Sequence, residues 1–204
     1  MPKETFFNLP ADKRERVIEA AIDEFSNNDY RQARINEIVR AAGIPKGSFY
    51  QYFEDKKDLF KYIVGLIYEK KMEAISGVMN SVEEIDIFQM LRLMAEAAIK
   101  MAQENPKLSL IGDRLLSDAT LLKEILEGYR QSSDEFMETI IEKGIQRGDV
   151  APWIEPSFAA KLITAFMLTL GDAVREKGSG QLTEEAKSRF YSMVRIIEDG
   201  MRRR

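Results

Sequence analysis

Apolar residues recur along most of the chain at intervals of three and four positions, which is the spacing of one face of an α-helix. The first such pattern predicts a helix from Ala11 to about Ser26, and the second predicts a short helix that begins at Ile35. Gly43 is predicted to cap the second helix, because that position needs a positive φ. Pro45 then opens a third helix, since proline is tolerated only at or before the first helical turn.

The rest of the chain predicts six more helices, separated by capping residues. A long fourth helix is expected from Lys56 to about Asn80. The later helices are each opened by Ser, Asn, Asp, Glu or Thr and are expected at about 81–103, 105–116, 118–147, 155–176 and 183–201, with Gly148 ending the seventh. No segment alternates as a strand would. The pattern therefore predicts an all-α fold of about nine helices.

Composition narrows the chemistry that this fold can perform. The chain has 204 residues, of which 45% are apolar and 31% charged, so it can bury a sizeable core. It contains neither cysteine nor histidine, which excludes disulfides and removes the commonest zinc ligand and general base. The paired carboxylates Glu83–Glu84 and Glu184–Glu185 are adjacent in sequence and are interpreted as capping residues, because neighbours on a helix point in different directions. We expect no enzyme activity, no cofactor and no metal.

Charge and hydropathy bear on location and partners. The most apolar run, Leu162 to Leu170, is too short to span a bilayer, and the N-terminus lacks the apolar segment of a signal peptide. We therefore expect a cytoplasmic protein that does not bind membranes. A net charge of −4 argues against non-specific nucleic-acid binding by the whole chain, yet a local basic surface is enough to bind phosphates.

Residues 35–59 have the organisation of a helix-turn-helix, with two short helical patterns on either side of an Ala-Gly-Ile-Pro break. In the second of these helices, Phe49 and Phe53 are predicted to face the core, which leaves a polar and aromatic face outside. Gly47 costs a helix about 1 kcal/mol relative to alanine, a choice that makes sense where the backbone must approach another molecule. Lys56 opposes the dipole of the next helix unless a phosphate binds there.

Several phrases carry a resemblance to a known family. They are Ile38-Val-Arg-Ala-Ala-Gly-Ile44, Lys46-Gly-Ser-Phe-Tyr50, Tyr52-Phe53, and Lys56 with Leu59, after a first helix that ends in Phe25. Over residues 17–60 the sequence resembles the TetR family of bacterial transcriptional regulators. Beyond Phe60 the resemblance rests on length, helix order and the turn at 148–153.

The resemblance implies a homodimer whose third helices enter the major groove of a palindromic operator. By position it implies that Lys46 and Gly47 lie at base edges and that Tyr50, Tyr52 and Lys56 lie at phosphates. The full set of expected DNA-binding residues is Arg34, Pro45, Lys46, Gly47, Ser48, Tyr50, Gln51, Tyr52 and Lys56. The chain departs from the family where Arg34 and Pro45 replace hydroxyl residues at the helix starts, and where Tyr52 replaces histidine. Arg31, Arg34 and Arg40 are equally well read as phosphate contacts or as solvated charges.

The expected domains are a helix-turn-helix DNA-binding domain at 1–55 and a ligand-binding and dimerisation domain at 56–204, with helix 56–80 as connector. Flexible apolar residues in the second domain either pack its core or line a pocket for a small apolar or amphipathic ligand, and the ligand candidates are Phe88, Met94, Met101, Leu115, Tyr129, Phe136, Met137 and Phe166. The last two helices either pack internally or form a four-helix bundle between subunits, and the resemblance favours the bundle. The expected dimer interface is Phe158, Leu162, Ala165, Phe166, Leu170, Phe190, Met193, Val194 and Ile197.

These expectations add up to a ligand-responsive transcriptional regulator, a repressor released from double-stranded operator DNA by a small inducer. One alternative is a DNA-binding regulator without an inducer, whose C-terminal domain recruits a protein partner. A remote alternative is an α-helical enzyme, which the lack of histidine, cysteine and any metal-ligand or phosphate-loop spacing disfavours. A purely structural helical bundle would leave Lys46, Gly47 and Tyr50 without a purpose.

Overall fold

The structure is a computed structural model that describes the backbone of residues 1–79, 85–174 and 184–203. Side chains are described over the same ranges except for 78–79, 126–132, 166–174 and 185–187. Within these ranges the chain forms ten helices: α1 Glu4–Phe7, α2 Ala11–Asn27, α3 Ile35–Ala41, α4 Lys46–Tyr52, α5 Lys56–Met79, α6 Ile87–Glu104, α7 Pro106–Ser117, α8 Ala119–Arg147, α9 Pro156–Val174 and α10 Glu184–Met201. The predicted all-α class is confirmed.

The structure differs from the sequence prediction at two helices: one is additional and one begins later than predicted. α1 was not expected, because four residues are too few to show a helical period. The helix expected from 81 begins instead at Ile87, where the carboxylate of Asp86 accepts the N–H of Gln89 at 2.7 Å and caps the first turn. The proposed cap at Ser81 lies outside the described residues, as does Thr183 before α10.

The chain divides into two compact units. Unit 1 contains Met1–Glu69 with Pro106–Leu115, and unit 2 contains Lys70–Asn105 with Leu116–Arg204. Helix α5 contributes residues to both. None of the helices in the described part of the chain is long and apolar enough to cross a membrane.

Unit 1 is built around a cluster of aromatic rings. Phe49 and Phe53 are both fully buried, as the helical spacing predicted, and their ring centroids are 5.4 Å apart. Phe6 of α1 approaches Phe53 at 4.7 Å, and Phe25 of α2 approaches Phe60 of α5 at 4.9 Å. Because aromatic side chains bury large areas at fixed geometry, these rings pack α1 against the end of α4 and α2 against α5.

Unit 2 has its own apolar core. The core draws on α6, α8, α9 and α10 and on the turn after α8, and its fully buried members include Phe88, Met90, Leu91, Ile141 and Val150. The turn after α8 begins at Gly148, whose φ of +89° confirms it as the residue that ends this helix. Beyond that turn, Val150 and Arg202 form an isolated antiparallel bridge that joins it to the end of α10.

Candidate nucleic-acid interface

The turn between α3 and α4 has the backbone geometry that the sequence predicted. Gly43 adopts a φ of +66°, and the N–H of Ile44 donates to the carbonyl of Val39 at 3.0 Å. This bond across six residues ends α3 in the manner of a Schellman turn. Pro45 caps α4 with an extended ψ of 144°, so the helix proper begins at Lys46. The two short helices are therefore joined by a turn whose conformation glycine and proline dictate.

Helix α4 presents one continuous exposed face. Lys46, Gly47, Tyr50 and Gln51 are exposed, and their spacing of i, i+1, i+4 and i+5 places them on one side of the helix. The Tyr50 side chain is 46% exposed, and nothing lies within 4 Å of the position of a Cβ on Gly47. Ser48 is half-buried at the edge of this face, and Pro45 is exposed just before it. The face is open to a large partner.

Tyr52 lies on the other side of α4. Its side chain is only 6% exposed and its ring lies 6.2 Å from that of Phe6, with the Lys13 ammonium 6.0 Å from the Tyr52 ring centroid. The structure thus separates Tyr52 from Tyr50, and the expected contact of Tyr52 with DNA stays a prediction.

Lys56, at the start of α5, is held by backbone carbonyls of unit 1. Its Nζ donates to the carbonyl oxygens of Tyr30 at 2.6 Å and Ala33 at 2.8 Å, with Arg31 at 3.3 Å, and it lies 4.7 Å from the Tyr30 ring centroid. Burial lowers the pKa of this ammonium, and the nearby Glu24 carboxylate opposes that shift. The Lys56 ammonium, for which a phosphate contact was predicted, therefore binds the backbone of the loop between α2 and α3.

The arginines around α3 are exposed, but part of their environment is acidic. Arg34 precedes α3, and its backbone N–H donates to the Glu24 carboxylate at 2.9 Å. Arg40 forms an ion pair with Glu37 one turn earlier. A polar groove of about 770 Å³ runs beside the start of α3, and its lining is Glu24, Asn28, Arg31, Gln32, Ala33, Arg34 and Glu37.

Sequence reasoning missed two residues that touch α4. Lys3 and Thr5 donate hydrogen bonds to carbonyls in the last turn of this helix. No periodic pattern marks them, because they lie in and beside the four-residue α1.

The predicted ligand-binding residues divide between the two units. Phe88 and Met137 lie in the core of unit 2, with Met94 and Phe136 packed partly buried against it. Met101 is also buried in unit 2, whereas Leu115 is buried in unit 1. The side chains of Tyr129 and Phe166 are outside the described residues. The structure thus gathers four of these side chains around one core and places Leu115 elsewhere.

The residues of the predicted dimer interface differ in how far they are exposed. Met193 and Val194 are 2% and 1% exposed and belong to the core of unit 2, because α10 turns this stripe toward α6 and α9. Phe190 and Ile197 are partly buried against the same core, and Ala165 is half-buried. Phe158 and Leu162 on α9 are 62% and 55% exposed. Exposed apolar residues that the prediction omitted are Trp153, Tyr191 and Ile196. The side chains of Phe166 and Leu170 are not among those described.

Comparison with known proteins places this geometry in a family. The sequence profile of "Bacterial regulatory proteins, tetR family" matches residues 17–63. A TetR family transcriptional regulator from Chloroflexus aurantiacus J-10-FL is 32% identical, with the whole of both chains covered and a TM-score of 0.68. The fatty acid metabolism regulator protein of Bacillus subtilis (strain 168) is 26% identical over 157 residues, which are 72% of this chain and 76% of that protein. The structure of FadR from Bacillus subtilis in complex with stearoyl-CoA has the same fold, with 20% identity, coverage of 91% and 98%, and a TM-score of 0.70. The chain belongs to the TetR family and is a DNA-binding transcriptional regulator, not an enzyme.

Proposed function

We propose that this protein is a homodimeric repressor that binds a palindromic operator through α4 and is released by a small apolar or amphipathic ligand bound in unit 2. The observation that carries the DNA-binding part is the open face of α4 with Lys46, Gly47 and Tyr50, on a helix whose opposite face is locked into an aromatic core. In this proposal residues 1–55 form the DNA-binding domain and residues 56–204 the ligand-binding and dimerisation domain.

The exposed residues of α4 suit different parts of a duplex. Lys46 stands at the N-terminal end of the helix, the end that reaches base edges in helix-turn-helix proteins. Gly47 lets the backbone come close, and the phenol of Tyr50 can donate to a phosphate one turn further on. Ser48, Gln51 and the exposed Arg34 and Pro45 are proposed to lie nearby.

Lys56 and Tyr52 are proposed to act mainly by positioning this face. The Lys56 ammonium already donates to three carbonyls, and the Tyr52 ring lies within the aromatic cluster. A phosphate contact by Lys56 would require its ammonium to share its N–H donors between the phosphate and these carbonyls, or to release a carbonyl. The distinction is measurable, because a lost phosphate contact reduces the salt dependence of binding.

Exposed apolar residues on unit 2 support the proposed dimer. Phe158 and Leu162 are one turn apart on α9 and are both more than half exposed, and Ile196 on α10 is 65% exposed. Two copies related by a two-fold axis would cover such residues with the same residues of the partner, as four-helix packing does. The two α4 helices would then need a separation of about 34–36 Å, or a small multiple, to enter successive major grooves.

The ligand proposed first is a long-chain fatty acyl thioester. It is suggested by two similar proteins, a fatty acid metabolism regulator and a FadR crystallised with stearoyl-CoA. In this chain the core of unit 2 is rich in adaptable side chains, with Met90, Met137 and Met193 buried and Met94 partly buried. Since α5 contributes to both units, a ligand-induced shift of α5 would change the separation of the two α4 helices.

The experiment starts from an operator selected out of random double-stranded DNA by the full chain. Lys46→Ala and Tyr50→Ala should each weaken binding to it by about 1–3 kcal/mol while the protein stays folded and dimeric. Lys107→Ala is the control, since Lys107 pairs with Asp23 on α2 and is absent from the α4 face. Wild-type affinity in both α4 variants would remove the docking model.

The ligand is tested separately by thermal shift with palmitoyl-CoA, free palmitate, an aromatic acid and a hydrophobic cation. A compound that binds the native state raises the melting temperature, and the true inducer also lowers operator affinity. If no compound shifts the melting temperature, the regulator that recruits a protein partner becomes the better reading.

A further inference from the structure

The last turn of α4 ends in carbonyl groups that the helix itself does not satisfy. An α-helix leaves its last four carbonyls without intrahelical donors. In α4 the first of them, on Phe49, accepts the N–H of Phe53 at 2.9 Å. The other three belong to Tyr50, Gln51 and Tyr52, and two of these residues lie on the face proposed to meet DNA.

Each of these three carbonyls receives a donor from the N-terminal segment, defined here as residues 3–7. The Lys3 ammonium donates to the Tyr50 carbonyl at 2.8 Å, and the Lys3 backbone N–H donates to the Tyr52 carbonyl at 2.8 Å. The Thr5 hydroxyl donates to the Gln51 carbonyl. The Lys3 charge also lies at the helix C-terminus, where the macrodipole favours a cation.

Phe6 anchors this N-terminal segment. Its side chain is fully buried, with its ring centroid 4.7 Å from that of Phe53 and 5.4 Å from that of Tyr62. The burial of so large an aromatic side chain stabilises the position of this segment against unit 1. Lys3 and Thr5 are therefore presented to α4 by a fixed element.

We propose that Lys3 and Thr5 are positioning residues for operator recognition, which complete the C-terminal turn of α4 and so fix Tyr50 and Gln51 on the DNA-facing surface. Helix α4 has seven residues, and helices this short are unstable without outside contacts. Loss of the donors frees the last turn to fray, which moves the residues that carry these carbonyls. The inference rests on the proposed function only in assigning the exposed face of α4 to DNA.

Thr5→Val tests the hydroxyl without changing charge or shape. It should weaken operator binding by about 2- to 10-fold, the effect of one hydrogen bond, and Thr5→Ser should restore the affinity. The matched control is Thr139→Val, which removes a threonine hydroxyl that donates to the Glu135 carbonyl at 3.0 Å within α8. Unchanged affinity in Thr5→Val, or an equal loss in Thr139→Val, overturns the role of Thr5.

Lys3→Met separates positioning from a direct phosphate contact. A positioning role predicts weaker binding with an unchanged slope of log affinity against log salt, whereas removal of a phosphate contact lowers the magnitude of that slope by about 0.9. Lys107→Met serves as the control for the loss of one charge in unit 1. A lowered slope in Lys3→Met overturns the positioning role of Lys3.

Amide hydrogen exchange of the free protein gives a readout that does not depend on DNA. Peptides that cover α4 should exchange faster in Thr5→Val and Lys3→Met than in the wild type or Thr139→Val, with the exchange of α8 and α9 unchanged. Unchanged exchange in α4 overturns the capping. Faster exchange in α4 together with wild-type operator affinity in Lys46→Ala and Tyr50→Ala preserves the capping and overturns the proposed DNA-binding face instead.

Discussion

Val150 packs directly against Gly144, so that a Cβ built on Gly144 would lie 2.8 Å from the Val150 Cγ2 atom. Cγ2 of Ile87 lies 3.6 Å from the same position, an ordinary contact, so Val150 is the neighbour that would have to move for a side chain to fit. The close approach lets the turn after α8 fold back against the helix. Gly144 therefore stands in the middle of unit 2 for reasons of space, although glycine is a poor helix former.

Gly144→Ala should destabilise the protein by about 1–3 kcal/mol, because overpacking against Val150 outweighs the gain in helix propensity. Chemical denaturation of the full chain measures the change. Gly77→Ala is the control, since nothing lies within 4 Å of its Cβ position, and it should stabilise α5 by up to about 1 kcal/mol. Equal stabilities of the two variants would contradict the close contact.

Gly47→Ala should separate stability from recognition. Its Cβ would meet open space, so the free energy of unfolding should rise by up to about 1 kcal/mol. Operator affinity should fall at the same time, because the methyl group occupies the space between α4 and the duplex. Fluorescence anisotropy with labelled operator measures the affinity, and Gly112→Ala, on α7 of the same unit and with no neighbour within 4 Å, is the control. A more stable protein that binds as well as the wild type would exclude a close backbone approach at Gly47.

Lys56→Met should reduce the free energy of unfolding by about 1–3 kcal/mol, because three carbonyls of the α2–α3 loop lose a charged donor. The salt dependence of operator binding should stay as in the wild type if Lys56 acts by positioning. Lys100→Met, which removes an exposed lysine 3.9 Å from Glu104, should leave stability nearly unchanged. A salt slope lowered by about 0.9 in Lys56→Met would show that Lys56 contacts a phosphate, as the family resemblance implies.

The end of α10 predicts a dependence of stability on acid pH. Arg202 pairs with Asp86 at 2.9 Å and with Glu198 at 2.7 Å, and Arg92 reaches Glu198 at 2.6 Å. Burial alone would raise the pKa of the Asp86 carboxyl, but the Gln89 amide and Arg202 together lower it below its ordinary 3.8. Burial alone would likewise raise the pKa of the Glu198 carboxyl, but Arg92 and Arg202 hold that pKa below its ordinary 4.5. These carboxylates stabilise the fold fully above their ordinary pKa values, and that stability is lost as pH falls through the lowered ones.

Arg202→Met should therefore melt at a lower temperature than the wild type at pH 7, and the difference should shrink as pH falls from 5 to 2.5. Circular dichroism during heating measures both proteins across this range. Arg195→Met is the control, because Arg195 pairs only loosely with the exposed Asp199 at 3.7 Å. If the difference in melting temperature between Arg202→Met and the wild type did not change with pH, the stabilising effect of Arg202 would not come from its pairing with these carboxylates.

Local chemistry explains what was predictable from sequence. Gly43 and Gly148 both have positive φ, and both end helices where the residue type alone indicated it. Phe49 and Phe53 are buried as their spacing required, since a spacing of four residues puts both on one side of a short helix. Asp118 caps α8 by accepting the N–H of Leu121, again a signal within a few residues.

The features that were missed depend on contacts between distant segments. The partners of the Lys56 ammonium lie 23 to 26 residues earlier, so no local pattern distinguishes a carbonyl contact from a phosphate contact. Met193 and Val194 carry the apolar spacing of an interface, but spacing does not say whether the cover comes from the same chain or from another. For these two residues of α10, the side chains that cover them belong to the core of unit 2 in the same chain.

The hydrogen bonds that complete α4 span 46 to 49 positions of sequence. The helix-turn-helix is consequently not a separable module. A graft of residues 35–52 onto another scaffold would carry the side chains that face DNA but leave behind the donors for the Tyr50, Gln51 and Tyr52 carbonyls. Chimeric regulators built from this protein should therefore exchange the segment from Lys3 onward as one piece, with the N-terminal residues and α4 taken from the same parent.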